Sequence, residues 1–213
     1  MIDVEMGAVG ESDEFHLSRV IEAHKADVKC ITSTSAGVII SGGRDDVVKF
    51  WNKRGGEFSE TLSFLHPKGL SVNSIGYYDS PDGWLVFAGR KDGSIAVYGS
   101  GSSEPRTVLT HHSSNVCCIY VDEKNHVLLS GSWDNNVVVW PIKNLSRPRV
   151  LFLVGHTYSV WALAAIESNP GFYLTGSADK TIKLWRDDNV IRTFTDAVCL
   201  RLRGERLVRC RYQ

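Results

Sequence analysis

Histidine, aspartate, a hydroxyl residue and tryptophan recur as sets along this chain, and the first three of these residue types could perform acyl transfer. That reaction needs a hydroxyl nucleophile, a base and a group that orients the base. The three complete sets are His24, Ser41, Asp45 and Trp51; His112, Ser130, Asp134 and Trp140; and His156, Thr175, Asp179 and Trp185. A catalytic triad needs to occur only once, whereas these sets recur at matching spacing. We therefore predict that they are structural hydrogen-bond networks and that the chain is not an enzyme.

Metal and phosphate chemistry find little support in the sequence. The 7 histidines form no HExxH motif and no cluster with the 5 cysteines, so we expect no metal site. The segments GGRDD, GRKDG and GSWDN lack the Lys-Ser/Thr pair and the strand-to-helix context of a phosphate-binding loop. We expect no cofactor.

The sets belong to an internal repeat. Four segments align in one register: SGGRDDVVKFW (41–51), AGRKDGSIAVY (88–98), SGSWDNNVVVW (130–140) and TGSADKTIKLW (175–185). Each ends in an aromatic residue, and an aspartate stands at the same position inside each. A period of roughly 40–45 residues is typical of propeller blades and other repeat architectures.

Each repeat contains four apolar runs separated by turn residues, which predicts four short strands. In the last full repeat the predicted strands are 149–154, 160–166, 172–177 and 182–187, and residues 190–195 are predicted to open a fifth repeat. No segment has the period and caps of an amphipathic helix. The sequence therefore predicts an all-β, incomplete β-propeller, with four four-stranded blades plus the start of a fifth.

The segment GHTYSVWAL (155–163), followed by TGSADKTIKLW, resembles the WD-repeat family over roughly residues 15–195. The resemblance implies that each set is a hydrogen-bond chain from tryptophan to hydroxyl to histidine to aspartate. The second repeat has Ala88 and Tyr98 in place of the hydroxyl and tryptophan, so we expect its network to be incomplete and its blade to be the least rigid.

Within that family, LVFAGRKDGSIAVY (85–98), LLSGSWDNNVVVW (128–140), GHTYSVWALAAI (155–166) and YLTGSADKTIKLW (173–185) are similar to the phospholipase A-2-activating protein, or ubiquitin-fusion-degradation, WD-repeat family. This resemblance implies a non-catalytic scaffold that binds ubiquitin or ubiquitinated proteins in ubiquitin-dependent turnover. The family's unfoldase-docking domain has no counterpart here, so we do not expect that partner. The alternative is an adaptor of another signalling or ubiquitin-ligase assembly.

Propellers commonly bind partners through residues that flank the first strand of a blade or stand beside the structural aspartate. In this sequence those positions give Arg44, Lys91, Trp133, Tyr158, Ser159 and Trp161 as candidate partner-binding residues. Aromatic residues often dominate interfaces. The alternative for Trp133 and Trp161 is that they pack between neighbouring blades.

Charge and composition set the remaining expectations. Lys plus Arg and Asp plus Glu both number 24, which argues against a nucleic-acid partner, and no apolar run is long enough for a membrane span. Cysteines inside apolar runs and the lack of a secretory signal predict a cytoplasmic or nuclear protein. Residues 1–14 form an acidic N-terminal segment, and residues 196–213 a divergent basic tail. We expect a truncated or spliced propeller that could self-associate through open blade edges.

Overall fold

The computed structural model describes residues 20–80, 82–145 and 151–195, and beyond them the backbone of strands 199–203 and 206–210. The described chain forms four antiparallel sheets of four strands. The first two sheets contain β1 (Val28–Ser33), β2 (Ile39–Gly43), β3 (Val47–Arg54) and β4 (Glu57–Leu65), then β5 (Val72–Ser80), β6 (Gly83–Arg90), β7 (Ser94–Gly99) and β8 (Thr107–Thr110).

The third and fourth sheets follow the same order. They contain β9 (Val116–Asp122), β10 (Val127–Ser132), β11 (Val137–Pro141) and β12 (Leu151–Leu153), then β13 (Val160–Ala165), β14 (Phe172–Ser177), β15 (Thr181–Arg186) and β16 (Asn189–Thr195). A short 3-10 turn, Ile142–Asn144, lies between β11 and β12. Two further strands, β17 (Cys199–Arg203) and β18 (Arg206–Cys210), pair with each other. The all-β, four-sheet architecture predicted from the repeat is confirmed.

Over the residues that the structure describes, no helix has the length and apolar character needed to span a bilayer.

The sequence repeat and the sheet are offset by one strand. Residues 190–195 were predicted to open a fifth repeat, but they belong to β16, which pairs with β15 in the fourth sheet. In the same way, residues 151–153 pair with β11 in the third sheet and not with β13. The prediction of a fifth unit from residues 190–195 is therefore wrong, because a strand that precedes the histidine in the sequence completes the sheet before it.

The turns between the second and third strands of the four sheets share one backbone conformation. The residue after the structural aspartate has a positive φ in all four: Asp46 (63°), Gly93 (93°), Asn135 (73°) and Lys180 (67°). Glycine, asparagine and aspartate tolerate this left-handed conformation better than other residues. The residue after the structural aspartate is therefore the one whose type affects the stability of this turn in each of the four sheets.

Successive sheets pack through a glycine and a valine. A Cβ atom on Gly42, Gly89 or Gly131 would lie 2.7, 2.8 or 2.9 Å from the Cγ1 atom of Val72, Val116 or Val160, respectively. Each glycine lies on the second strand of one sheet, and each valine opens the first strand of the next. The absence of a side chain on the glycine lets the valine of the following sheet approach the backbone closely.

A side-chain hydrogen bond repeats beside each of these contacts. The side chains of Cys30, Ser74 and Cys118 donate to the carbonyl oxygens of Val72, Val116 and Val160, at 3.8, 2.8 and 3.3 Å. Burial raises the pKa of the Cys30 thiol to about 12, and the hydrogen bond with Cys117, together with burial, raises that of Cys118. Both thiols therefore keep the proton that the hydrogen bond requires.

The first sheet has no such neighbour on its outer flank among the described residues. Val28 occupies the position of Val72, Val116 and Val160, yet it is 52% exposed while each of those three is 0% exposed. Ile31 and Leu65 are also exposed. No strand from the end of the described chain joins the first sheet, so its inner-strand valine remains accessible.

Candidate functional site

Three of the four sheets hold the same buried network. In the third sheet, the indole Nε1 of Trp140 donates to the Ser130 hydroxyl at 2.9 Å. The Ser130 hydroxyl donates to Nε2 of His112 at 2.8 Å, and Nδ1 of His112 donates to the Asp134 carboxylate at 2.8 Å. This proton arrangement follows from the acceptor-only carboxylate, which fixes the histidine tautomer.

The first and fourth sheets repeat this geometry with their own residues. The corresponding distances are 2.9, 2.8 and 2.8 Å for Trp51, Ser41, His24 and Asp45, and 2.8, 2.7 and 2.7 Å for Trp185, Thr175, His156 and Asp179. The hydroxyl residues Ser41, Ser130 and Thr175 are buried. Each hydroxyl lies between an indole and an imidazole, so a substrate carbonyl has no approach to it.

The aspartates of these networks are held as carboxylates. Burial raises the pKa of the Asp134 carboxyl, but hydrogen bonds from His112 and from the backbone amides of Asn136 and Ser113 outweigh it, and the pKa lies below its usual range. The pKa values of Asp45 and Asp179 are lowered in the same way. Burial lowers the pKa of His156 despite its contact with Asp179. Each aspartate therefore stays ionised and accepts the hydrogen bond from its histidine.

The second sheet contains a different network in the same place. Arg90, which is buried, donates through Nε to Nδ1 of His66 at 2.8 Å. The Tyr98 hydroxyl lies 3.4 Å from Nε2 of His66. Asp92 contacts the backbone and hydroxyl of Ser94 instead of a histidine. The sequence correctly indicated that the usual partners are missing, but it did not reveal that Arg90 replaces them.

A groove opens on the face that carries the turns between the second and third strands, which we call the turn face. Its volume is about 520 Å³, and it is lined by Lys29, Arg44, Ser71, Asn73, Lys91, Asn115, Cys117, Trp133 and Trp161. These residues come from all four sheets. The described residues contain no group of three or more His, Cys, Asp or Glu side chains arranged to hold a metal ion.

One backbone hydrogen bond fixes the rim of the groove in every sheet. The amides of Arg44, Lys91, Trp133 and Ala178 donate to the carbonyl oxygens of Asp27, Ser71, Asn115 and Ser159, at 2.9, 3.1, 3.0 and 2.9 Å. The donor precedes the structural aspartate, and the acceptor precedes the valine that opens the first strand. Because the backbone is held in this way, the side chains of the rim residues can project from the sheet.

Four of the six predicted partner-binding residues line the groove: Arg44, Lys91, Trp133 and Trp161. Tyr158 and Ser159 do not line it; Tyr158 is exposed, and its carbonyl accepts a hydrogen bond from the Ser177 hydroxyl. Trp133 and Trp161 lie between the third and fourth sheets with ring centroids 6.1 Å apart. They remain 49% and 53% exposed, so packing between blades does not hide them.

Sequence reasoning missed five residues that also line the groove: Lys29, Ser71, Asn73, Asn115 and Cys117. Lys29, Asn73 and Cys117 directly follow the valine that opens the first strand of their sheet, as Trp161 does, and Ser71 and Asn115 directly precede it. The same repeat that identified Trp161 therefore contained the signal for the other three. Of the residues at this position, only the tryptophan is recognisable as an interface residue by its type.

Comparison with known proteins agrees with this geometry. The family model of the WD domain, G-beta repeat, matches residues 15–52, 103–141 and 147–186. The unmatched stretch between the first two matches holds the first three strands of the second sheet, with its substituted network.

The chain is 47% identical over 192 residues to "Ubiquitin fusion degradation protein 3 homolog" of Caenorhabditis elegans, covering 87% of this chain and 22% of the relative. It is 30% identical over 131 residues to "Ubiquitin homeostasis protein lub1" of Schizosaccharomyces pombe, covering 60% of this chain and 18% of that relative. The chain thus spans about a fifth of the length of these curated relatives.

A solved structure, "Crystal structure of WD40 beta propeller domain of Doa1", superposes with a TM-score of 0.70 at 32% identity, covering 82% of this chain and 56% of that chain. Sequential four-stranded sheets, a recurrent buried network and the match of the repeat model lead to one conclusion. The chain belongs to the WD-repeat family.

Proposed function

We propose that this chain is a non-catalytic scaffold that binds ubiquitin or ubiquitinated proteins, through its turn face, in ubiquitin-dependent protein turnover. The relatives named for ubiquitin fusion degradation and ubiquitin homeostasis support this proposal. The observation that carries it is the groove of the turn face. Exposed cationic and aromatic side chains line it, whereas the possible catalytic hydroxyls are buried.

Two exposed tryptophans make the groove suitable for a protein partner. Aromatic residues give a large contact area at little cost in conformational entropy and are frequent at interface hot spots. The cytoplasm and the nucleus, where we propose that the chain acts, would both supply such partners. Fluorescence microscopy of the tagged chain would test that placement, and a purely extracellular signal would contradict it.

Titration of the 213-residue chain with labelled ubiquitin tests the main proposal. We expect saturable binding in the micromolar range, weakened by Trp161→Ala and unchanged by Lys124→Glu. Lys124 is exposed on the opposite face, in the turn between β9 and β10, and is therefore a matched control. Absence of retention at high micromolar concentration would favour an adaptor of a different assembly.

We also propose that the open flank of the first sheet is a contact surface through which chains can self-associate. The exposure of Val28, where three equivalent valines are buried, supports this. Sedimentation velocity should show a concentration-dependent increase in mass that Val28→Lys together with Ile31→Lys removes. A monomer at all accessible concentrations would contradict this proposal.

A further inference from the structure

Seven of the nine residues that line the groove occupy two positions of the repeat. The first is the residue after the valine that opens each inner strand, which is Lys29, Asn73, Cys117 and Trp161 in the four sheets. The second is the residue before the structural aspartate, which is Arg44, Lys91 and Trp133 in the first three. Residues that build the blade recur from sheet to sheet, whereas these change type. The residue types at the groove positions therefore differ between sheets, unlike those of the blade-building positions.

The change of type divides the groove into two halves. The first and second sheets contribute three cations, Lys29, Arg44 and Lys91, and no carboxylate side chain lines the groove. Arg44 shares its charge with Asp27 at 3.2 Å on the rim. Lys29 and Lys91 are exposed and have no ion-pair partner among the described residues. This half, which we call the cationic half, attracts anions.

The third and fourth sheets contribute the aromatic half, formed by Trp133 and Trp161. Their rings are 6.1 Å apart and tilted by 60°, and together they offer an apolar wall that is half open to solvent. An aliphatic or aromatic side chain that covered this wall would remove apolar surface from water.

Polar groups lie between the two halves. Asn73 donates through Nδ2 to Oδ1 of the buried Asn115 at 2.8 Å, and this bond holds both amides in place at the floor. Ser71 lies beside them. Amides and hydroxyls of this kind suit the backbone of an extended segment, which carries a donor and an acceptor at every residue.

We propose that the groove binds an extended acidic segment of a partner protein, with carboxylates against Lys29, Arg44 and Lys91 and a neighbouring apolar side chain against Trp133 and Trp161. The cations stand on separate strands and turns, and Arg44 already contacts Asp27. A row of carboxylates matches this spread better than one phosphate, which favours convergent, bidentate donors. The inference rests on the proposed function in placing the ligand on the turn face, but it does not require that the ligand be ubiquitin.

Fluorescence anisotropy with a labelled decapeptide tests the proposal directly. The peptide carries three glutamates, a Gly-Ser spacer and two leucines, and its control has glutamines in place of the glutamates. We expect the acidic peptide to bind about tenfold or more tightly than the glutamine peptide and to lose about tenfold in affinity between low and high salt. Tryptophan emission should shift to shorter wavelength on binding, because the two groove tryptophans become covered.

Matched variants separate the two halves. Lys91→Glu and Trp161→Ala should each weaken the acidic peptide about tenfold, while Lys124→Glu and Phe152→Ala, both outside the groove, should leave it within about twofold. All four side chains are exposed, and unchanged thermal unfolding would confirm that the variants fold. Equal affinity for wild type, Lys91→Glu and Trp161→Ala would overturn the proposal.

Two further arms identify the ligand. A phosphoserine version that binds about tenfold more tightly than the glutamate peptide would overturn the acidic assignment in favour of a phosphoprotein. In a second variant, every Asp and Glu within residues 3–14 of the chain itself is replaced by Asn or Gln. This should change the affinity for the acidic peptide less than twofold, and a large gain would assign the groove to that segment instead. Ubiquitin titrated separately reports on the proposed function, since it can bind or fail to bind whichever way the peptide behaves.

Discussion

The second and third sheets each bury a histidine that needs a hydrogen-bond partner, and the partners in the two sheets carry opposite charges. In the third sheet His112 contacts the carboxylate of Asp134. In the second sheet His66 contacts the guanidinium of Arg90. Both side chains are buried and hydrogen-bonded, so both sheets avoid the cost of an unsatisfied polar group.

The difference shows that the repeat specifies a satisfied histidine and not a particular partner. Beside a carboxylate, Nδ1 must donate; beside a guanidinium, the same atom must accept, so His66 must be neutral. Burial and the adjacent Arg90 lower the pKa of His66 to about 4. His66 is thereby held in its neutral form, with Nδ1 as the acceptor for Arg90.

Removing the histidine should be the most damaging change, and it should be worse in the second sheet. His66→Leu leaves the buried guanidinium of Arg90 without its acceptor, and we expect a loss of about 3–5 kcal/mol in the free energy of unfolding. His112→Leu should cost about 1–3 kcal/mol, because Asp134 keeps hydrogen bonds from the amides of Ser113 and Asn136. Urea denaturation measures both.

A double variant sharpens this comparison. Adding Arg90→Met to His66→Leu removes the stranded charge and should recover part of the loss. If His66→Leu lowers the free energy of unfolding no more than His112→Leu does, the hydrogen bond from Arg90 to His66 does not stabilise the buried guanidinium.

The two sheets should also respond to acid over different pH ranges. An unfolded histidine has a pKa near 6.5, and that of folded His66 is about 4, so between these values the unfolded chain binds more protons and stability falls as the pH falls. The contribution of His66 to the free energy of unfolding is about 3 kcal/mol. Stability from Asp134, whose folded pKa is depressed, is lost only as the pH falls through and below the ordinary carboxyl range.

Unfolding free energies measured from pH 7 to pH 4 test this difference. His66→Gln should flatten the dependence in that interval relative to wild type, although His156, whose pKa is also lowered, should leave some slope. Asp134→Asn should not flatten it. Identical slopes for wild type and His66→Gln would show that His66 does not resist protonation.

Removing the shared hydroxyl should cost less than removing a histidine of the second sheet. Ser130→Ala leaves both Nε1 of Trp140 and Nε2 of His112 without a partner, and we expect a loss of about 2–3 kcal/mol. Ala88→Ser in the second sheet should bring no gain, because Tyr98 already supplies a hydroxyl to His66. Exposed Ser35→Ala is the control, and a loss no larger than that of this control would contradict the network.

The smallest expected effect concerns the turns. Lys180→Asn should stabilise the chain by about 0.5 kcal/mol, because asparagine tolerates the positive φ that Asn135 already adopts in the third sheet. Gly93→Asn in the second sheet should destabilise it, since a Cβ there would lie 2.4 Å from the His112 carbonyl oxygen. Thermal melts distinguish the two signs.

Much of this architecture could be predicted because blade-building residues repeat. His112, Ser130, Asp134 and Trp140 recur at matching spacing, and the resemblance to the WD-repeat family implies that they form one hydrogen-bond chain. Arg90 could not be recognised, because it replaces an aspartate's role from a position that carries no network residue in the other repeats. Its function depends on a three-dimensional approach to His66 that the linear pattern does not record.

Local sequence patterns could not predict which sheet residues 190–195 join or which residues line the groove. Residues 190–195 read equally well as the first strand of a new repeat or the last strand of the old sheet, and only pairing with β15 decides. Lys29 and Asn73 stand at a recurrent position but have no recurrent type. A search for repeated residues therefore passes over the residues that the groove uses.

The contact between each glycine and the next valine makes every junction between neighbouring sheets the same. A segment that carries one full unit can consequently be duplicated in frame and inserted between two others without any new junction to be optimised. Lengthening or shortening the array by whole units should be much easier, in evolution or in the laboratory, than changing the size of a single unit.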